Sequence, residues 1–152
     1  MAMRAPSIGV DPRFESGLAL IRLPRYGCTI GGGMAVTVLI VDDHAGFRAR
    51  ARKLLEAGGF AVLEAEDGNS ALGCAASFAP ELVLLDVQLP GLDGFDVAGR
   101  LAADGDGPVV VLTSTRDAAD YGDRVASAPV AGFVPKDELS ADALRSFLRR
   151  HR

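Results

Sequence analysis

Five short segments of this chain are apolar almost throughout: TVLIV (37–41), AVLEA (61–65), LVLLD (82–86), VVVLTS (109–114) and VAGFVP (130–135). A strand exposed on one face alternates apolar with polar residues, whereas a nearly unbroken apolar run belongs to a strand covered on both faces. The intervals between these runs carry helical spacing instead. The first sets Phe47, Ala51, Leu54 and Leu55 on one face and stops at Gly58-Gly59, where glycine suits a C-terminal cap. The second aligns Ala71, Leu72, Ala75 and Ala76 and ends before Pro80, and the third opens near Gly94 and buries Phe95, Ala98, Leu101 and Ala102. A fourth, from about Asp117, aligns Ala118, Ala119, Val125 and Ala126, but Gly122 inside it costs about 1 kcal/mol relative to alanine. The fifth starts at a cap on Ser140, uses Leu144, Phe147 and Leu148, and closes in Arg149, Arg150, His151 and Arg152, cations that complement the helix dipole.

Five strand–helix units in about 115 residues predict an α/β fold, an open parallel sheet with right-handed crossovers and helices on both faces. The expected form is a flavodoxin-like, doubly wound five-stranded sheet of order 2-1-3-4-5. That order sets the first strand beside the third, so that Asp42 and Asp43, which follow one, and Asp86, which ends the other, converge in a crevice at the carboxyl edge. The fourth strand delivers Thr113 to the same rim and the fifth delivers Lys136.

Length and charge narrow the picture. At 152 residues the chain has the size of one domain, with 49% hydrophobic and 24% charged residues, an ordinary globular composition. Residues 1–33 differ: rich in Pro, Gly and Arg and without sustained periodicity, they read as a flexible leader to a domain over 34–152. Because Met34 directly precedes the first strand, an alternative is that the native chain starts there. Four arginines and two acids make the leader +2, which leaves −6 for the rest of a chain whose net charge is −4, and this gives no electrostatic reason to expect direct nucleic-acid binding. Every apolar run is strand-sized, so no membrane span is expected, and two cysteines without metal or disulfide spacing fit a reducing cytoplasm.

Three carboxylates in one crevice repel: two unit charges about 4 Å apart cost about 4 kcal/mol at an effective dielectric near 20. A bound cation removes that penalty, and an all-oxygen donor set favours Mg²⁺ or Mn²⁺ over zinc. One carboxylate could then attack phosphorus to form an acyl phosphate, with Lys136 and the Thr113 hydroxyl on the equatorial oxygens. Taken singly, each residue has an ordinary explanation as a cap, a strand-end hydroxyl or a solvated charge. The information lies in their coincidence on one rim.

From Val36 onward the chain resembles the receiver domain of two-component response regulators, at the motifs VLIVDD, LVLLDVQLPGLDGFDV, VVVLTS and GFVPK. The resemblance covers about four-fifths of the chain, and LLDVQLPGLDG is its most specific part. It implies that Asp86 accepts a phosphoryl group from a sensor histidine kinase or a histidine phosphotransfer protein. It implies further that Asp42, Asp43, Asp86 and the main-chain carbonyl of Gln88 hold Mg²⁺, with Mn²⁺ as the alternative ion, and that Thr113 and Lys136 hold the phosphoryl oxygens. Thr113 and Phe133 would be the switch that reshapes the fourth helix, fifth strand and fifth helix, a face also expected to serve a homodimer. Phe133 lacks a hydroxyl, so burial alone must drive its ring.

The resulting expectation is a cytoplasmic phospho-switch without an output domain, since the sequence ends at the fifth helix. It would signal by contact with a downstream protein and would not be an enzyme beyond self-phosphorylation and slow aspartyl-phosphate hydrolysis. Two alternatives stay open. An aspartate-nucleophile phosphohydrolase would use the same residue types, although its nucleophile sits on the first strand with a second Asp two residues later, unlike Asp42-Asp43-His44. A pseudo-receiver that only binds partners would usually lack Asp86 or Lys136. His44 could reach the metal, but a first-turn helix residue is the simpler reading.

Overall fold

The computed structural model describes residues 35–103 and 105–151, so the expected leader and the alternative start at Met34 lie outside the described residues. Five strands, β1 (Thr37–Val41), β2 (Ala61–Ala65), β3 (Leu82–Asp86), β4 (Val109–Ser114) and β5 (Gly132–Pro135), pair in the order β2-β1-β3-β4-β5. Every pairing is parallel. This is the flavodoxin-like, doubly wound arrangement that the apolar runs predict.

Alternate residues of each strand feed opposite cores. Leu39, Val41, Val83, Leu85 and Leu112 face α2 (Gly68–Phe78) and α3 (Gly94–Ala102), where they meet Ala71, Cys74, Val97, Ala98 and Leu101. Val38, Ile40, Leu82, Leu84 and Val111 face α1 (Ala45–Ala57) and α5 (Ala141–Arg150), where they meet Phe47, Ala51, Leu55, Leu144 and Leu148. Burying each such leucine or valine contributes about 1.5–3 kcal/mol, which is why the strand sequences have no polar face.

The helices correct several expectations. On α1 the residues that enter the core are Phe47, Ala51 and Leu55, four apart, and Leu54 is turned out to 40% exposure. On α2 it is Cys74 that is buried and Ala76 that is exposed; on α3, Val97 joins Ala98 and Leu101 while Phe95 is half-buried and Ala102 exposed. The expected fourth helix is broken. A 3-10 turn (Ala118–Tyr121) and a five-residue α4 (Asp123–Ser127) meet at Gly122, whose φ of 58° no continuous right-handed helix allows, and neither segment has a buried residue. β5 starts two residues later than its apolar run.

The end of α2 carries local strain. Ala79 caps it in the left-handed region, φ 45° and ψ 58°, while its N–H bonds the Ala75 carbonyl at 3.0 Å. A Cβ there crowds the following carbonyl, at a cost of about 1–2 kcal/mol that glycine avoids. Ala79→Gly is therefore expected to raise the free energy of unfolding by about 0.5–1 kcal/mol in a urea titration, after glycine's greater entropy loss is offset. A loss of stability would contradict this.

Candidate functional site

Strand register brings the rim residues together. Val41 lies opposite Leu85, Asp86 opposite Thr113, and Ser114 opposite Pro135. Asp42, one step past β1, thus lies beside Asp86, with Thr113 across from it and Lys136 next along the edge. Asp42 is 0% and Asp86 2% exposed.

Asp42 is held on every side. Its N–H bonds the Ala65 carbonyl at 3.1 Å, its Oδ1 accepts from the His44 N–H at 2.8 Å, and its carbonyl accepts from Arg48 Nη1 at 2.7 Å. Arg48 and Arg52 in turn clamp Glu64 of the edge strand, at 3.0 and 2.5 Å. Lys136 Nζ stands 2.5 Å from Asp42 Oδ2 and 3.5 Å from Asp86 Oδ2, so one ammonium serves two buried carboxylates. The same ammonium lies 4.6 Å from the centroid of the Phe47 ring, a cation–π contact that helps keep it at the rim.

Asp86 Oδ1 accepts the Gln88 N–H at 3.1 Å. Burial pushes the Asp86 carboxyl up to about 6 from an ordinary 3.8; the Gln88 N–H and the Lys136 ammonium pull it back, while the Asp42 charge pushes it further up. The loop after Asp86 is tightly packed. A Cβ on Gly94 would come 2.4 Å from the Asp86 carbonyl oxygen and 2.7 Å from Val87 Cα, so glycine is needed for α3 to start against the acid. Asp93 caps that helix in a reciprocal capping box with Asp96.

Asp43 and His44 complete the cluster from the more open side. Their side chains are 38% and 71% exposed, and His44 Nδ1 is 3.2 Å from both Asp42 Oδ1 and Asp43 Oδ1. One ligand atom from each of Asp42, Asp43, His44 and Asp86 lies within 4.8 Å of the others. Three carboxylates meet one ammonium here, a surplus of two negative charges when all are ionised, and two of the acids lack the water that would otherwise solvate them. The donor set and its charge fit a divalent cation.

Thr113 is fully buried, and its hydroxyl donates to the Val134 carbonyl at 2.6 Å, so it is committed to β5 and not to Asp86. The next hydroxyl, Ser114, meets the Tyr121 hydroxyl at 2.6 Å. Tyr121 sits between Phe95, which it meets edge to face at 6.0 Å between ring centroids, and Phe133, a tilted contact at 6.1 Å.

The family model described as the response regulator receiver domain matches residues 38–149. This chain belongs to that family. Among curated proteins it is 40% identical over 124 residues to the response regulator MprA of Mycolicibacterium vanbaalenii, covering 77% of this chain and 52% of that one. The chain spans about half the length of the curated relatives it matches. The solved signal receiver domain of NarL from Mycobacterium tuberculosis is 30% identical with a TM-score of 0.69, covering 76% of this chain and 97% of that one. The chemotaxis response regulator CheY4 of Vibrio cholerae, at 22% identity and a TM-score of 0.65 over 76% of this chain and 98% of that one, shares the fold.

All the residues singled out on this receiver's rim, Asp42, Asp43, Asp86, Thr113 and Lys136, come together at one edge, with Gln88 touching Asp86 and Phe133 packed behind Tyr121. Sequence reasoning missed Arg48, Arg52 and Tyr121. An acid, Glu64, inside an otherwise apolar strand was the available signal for the first two, because a half-buried carboxylate needs cations nearby. Tyr121 gave none, since its contacts with Ser114, Phe95 and Phe133 follow no helical or strand period.

The raised Asp86 carboxyl has a consequence for stability. The native state favours the protonated acid, so this stabilisation is complete below about pH 4 and is lost as pH rises through about 6. In EDTA-treated samples, Asp86→Asn should therefore melt at a higher temperature than wild type at pH 7.5, with the gap shrinking towards pH 5. Parallel melting curves across that range would contradict it.

Proposed function

We propose that Asp86 is the phosphoacceptor of this receiver domain, and that phosphorylation throws a switch through Thr113 and Phe133. The observation that carries the reading is the buried Asp86 carboxylate, 3.5 Å from Lys136 Nζ and in register with Thr113 at the carboxyl edge of the sheet. In this step an Asp86 oxygen attacks the phosphorus of a phosphohistidine. The new P–O bond forms as the P–N bond breaks, and the departing imidazole nitrogen keeps the electron pair and takes a proton from solvent.

Asp42, Asp43, Asp86 and the Gln88 carbonyl would hold Mg²⁺, or Mn²⁺ in its place. When bound, the ion supplies positive charge against the phosphoryl oxygens and the carboxylates. Lys136 contributes the second counter-charge from a position within reach of both acids, 2.5 Å from Asp42 and 3.5 Å from Asp86. Thr113 can reach a phosphoryl oxygen only by giving up the Val134 carbonyl. That exchange loosens the contact between β4 and β5 beside Phe133 and biases the Phe133–Tyr121 packing towards a second arrangement. A groove of about 480 Å³ beside Lys136 mixes the apolar Phe47, Leu54 and Leu139 with the polar Arg50, Thr115 and Asp137, a surface on which a protein phosphodonor could rest.

The partners of this reading are a sensor histidine kinase or histidine phosphotransfer protein, and a downstream protein reached through α4, β5 and α5, a face that would also serve a homodimer. Among the described residues no helix is long and apolar enough to cross a membrane, and a cytoplasmic location accords with such partners. The negative charge argues about this chain alone. A structural neighbour from Staphylococcus aureus is named a DNA-binding response regulator, and the curated relatives are about twice as long, so DNA is a target class that an attached output domain would reach.

Incubation with acetyl phosphate should add one phosphoryl group to the intact protein only when Mg²⁺ is present, and none to Asp86→Asn. Equal uptake by the variant would move the acceptor to another residue, and none by wild type would leave the chain as a partner-binding pseudo-receiver. Thr113→Ala should still take up the group, about ten- to a hundredfold more slowly. In aromatic NMR spectra, phosphorylation should shift Phe133 and Tyr121 in wild type and leave them unmoved in Thr113→Ala; shifts of equal size in both would remove Thr113 from the switch.

A further inference from the structure

His44 occupies the N-cap of α1, with φ −95° and ψ 108°, yet its side chain makes no capping hydrogen bond. Ser, Thr, Asp and Asn are favoured there because they satisfy a free helix N–H, a contribution of about 1 kcal/mol that this histidine forgoes. Its ring folds back over the acid cluster instead, although the residue is largely exposed and water is available on its other side. Nδ1 comes 3.2 Å from a carboxylate oxygen of each of two residues, Asp42 and Asp43. Neighbouring donors around an octahedral ion with bonds of about 2.1 Å are separated by roughly 3.0 Å, so Nδ1 stands where an adjacent ligand would stand.

We propose that His44 Nδ1 is a direct donor to the divalent cation held by Asp42, Asp43 and Asp86, and that it tilts this site from Mg²⁺ towards borderline transition ions. The inference rests on the metal reading above and deepens it. Mg²⁺ prefers oxygen donors and keeps its water, whereas imidazole nitrogen suits Co²⁺, Ni²⁺ and Zn²⁺, with Mn²⁺ accepting both. A nitrogen replacing one water in the shell therefore adds little for Mg²⁺ and much for Co²⁺. The neutral ring presents its lone pair to the ion at the place where, in the ion-free protein, an N–H would bridge the two carboxylates. Asp42, Asp43 and Asp86 remain the charge-bearing ligands, and His44 sets which ion they prefer.

The chain has two histidines, so in a His151→Asn background His44 is the only imidazole. Pulsed EPR of that protein loaded with Mn²⁺ should detect coupling to a ligand nitrogen, absent when His44→Asn is added. Asparagine is a good N-cap, so the variant keeps its helix. Calorimetry should find that His44→Asn weakens Co²⁺ binding by about tenfold and Mg²⁺ binding by less than about twofold. Mn²⁺ bound without nitrogen coupling, or equal losses for Co²⁺ and Mg²⁺, would overturn the role of His44 and leave the acid site standing. Failure of every ion to bind would overturn the acid site as well.

Discussion

One ammonium shared between two buried carboxylates is the constraint on which the site depends. Asp42 and Asp86 lie at the ends of adjacent central strands, with almost no contact with water, and Lys136 reaches both. Such a cluster holds together only while counter-charge is supplied, because each carboxylate removed from water carries a desolvation penalty of several kcal/mol that attraction must return. The protein supplies one positive charge where three acids converge. The remainder makes the rim receptive to a divalent ion, while burial first, and the Asp42 charge after it, holds the Asp86 carboxyl above the range of an exposed aspartate.

The rest of the fold serves to keep this edge in place. Strands packed on both faces fix the register that sets Asp86 against Thr113, and Gly94 lets α3 begin in contact with the Asp86 main chain. On the opposite side, Arg48 bridges the Asp42 carbonyl to Glu64 on the edge strand, so α1 and β2 hold the acid's backbone as a unit. The aromatic side of the rim is different in kind. Thr113, Ser114, Tyr121 and Phe133 are linked by single hydrogen bonds and ring contacts, and the helix they support is short and broken at Gly122.

The strands were legible because a strand covered on both faces leaves a dense apolar run, and the order of the sheet followed from their alternation with helices. For four of the five strands the predicted and observed limits coincide. The convergence of Asp42, Asp86, Thr113 and Lys136 was legible for the same reason, since each sits at a strand end. What periodicity could not separate was neighbours: Leu54 from Leu55 on α1, or the buried Asp42 from the half-exposed Asp43, where the turn of one residue decides which faces water. The region after β4 was illegible because it is organised by single contacts of Tyr121 with Ser114, Phe95 and Phe133, which follow no helical or strand period.

Borohydride reduction of the acetyl phosphate-treated protein, followed by peptide mass spectrometry, identifies the acceptor itself, because it converts an aspartyl phosphate to homoserine and marks the residue that carried the group. A phosphoacceptor at Asp86 requires conversion there and at no other acid. Conversion at Asp42 or Asp43, or at none of the three, would contradict it.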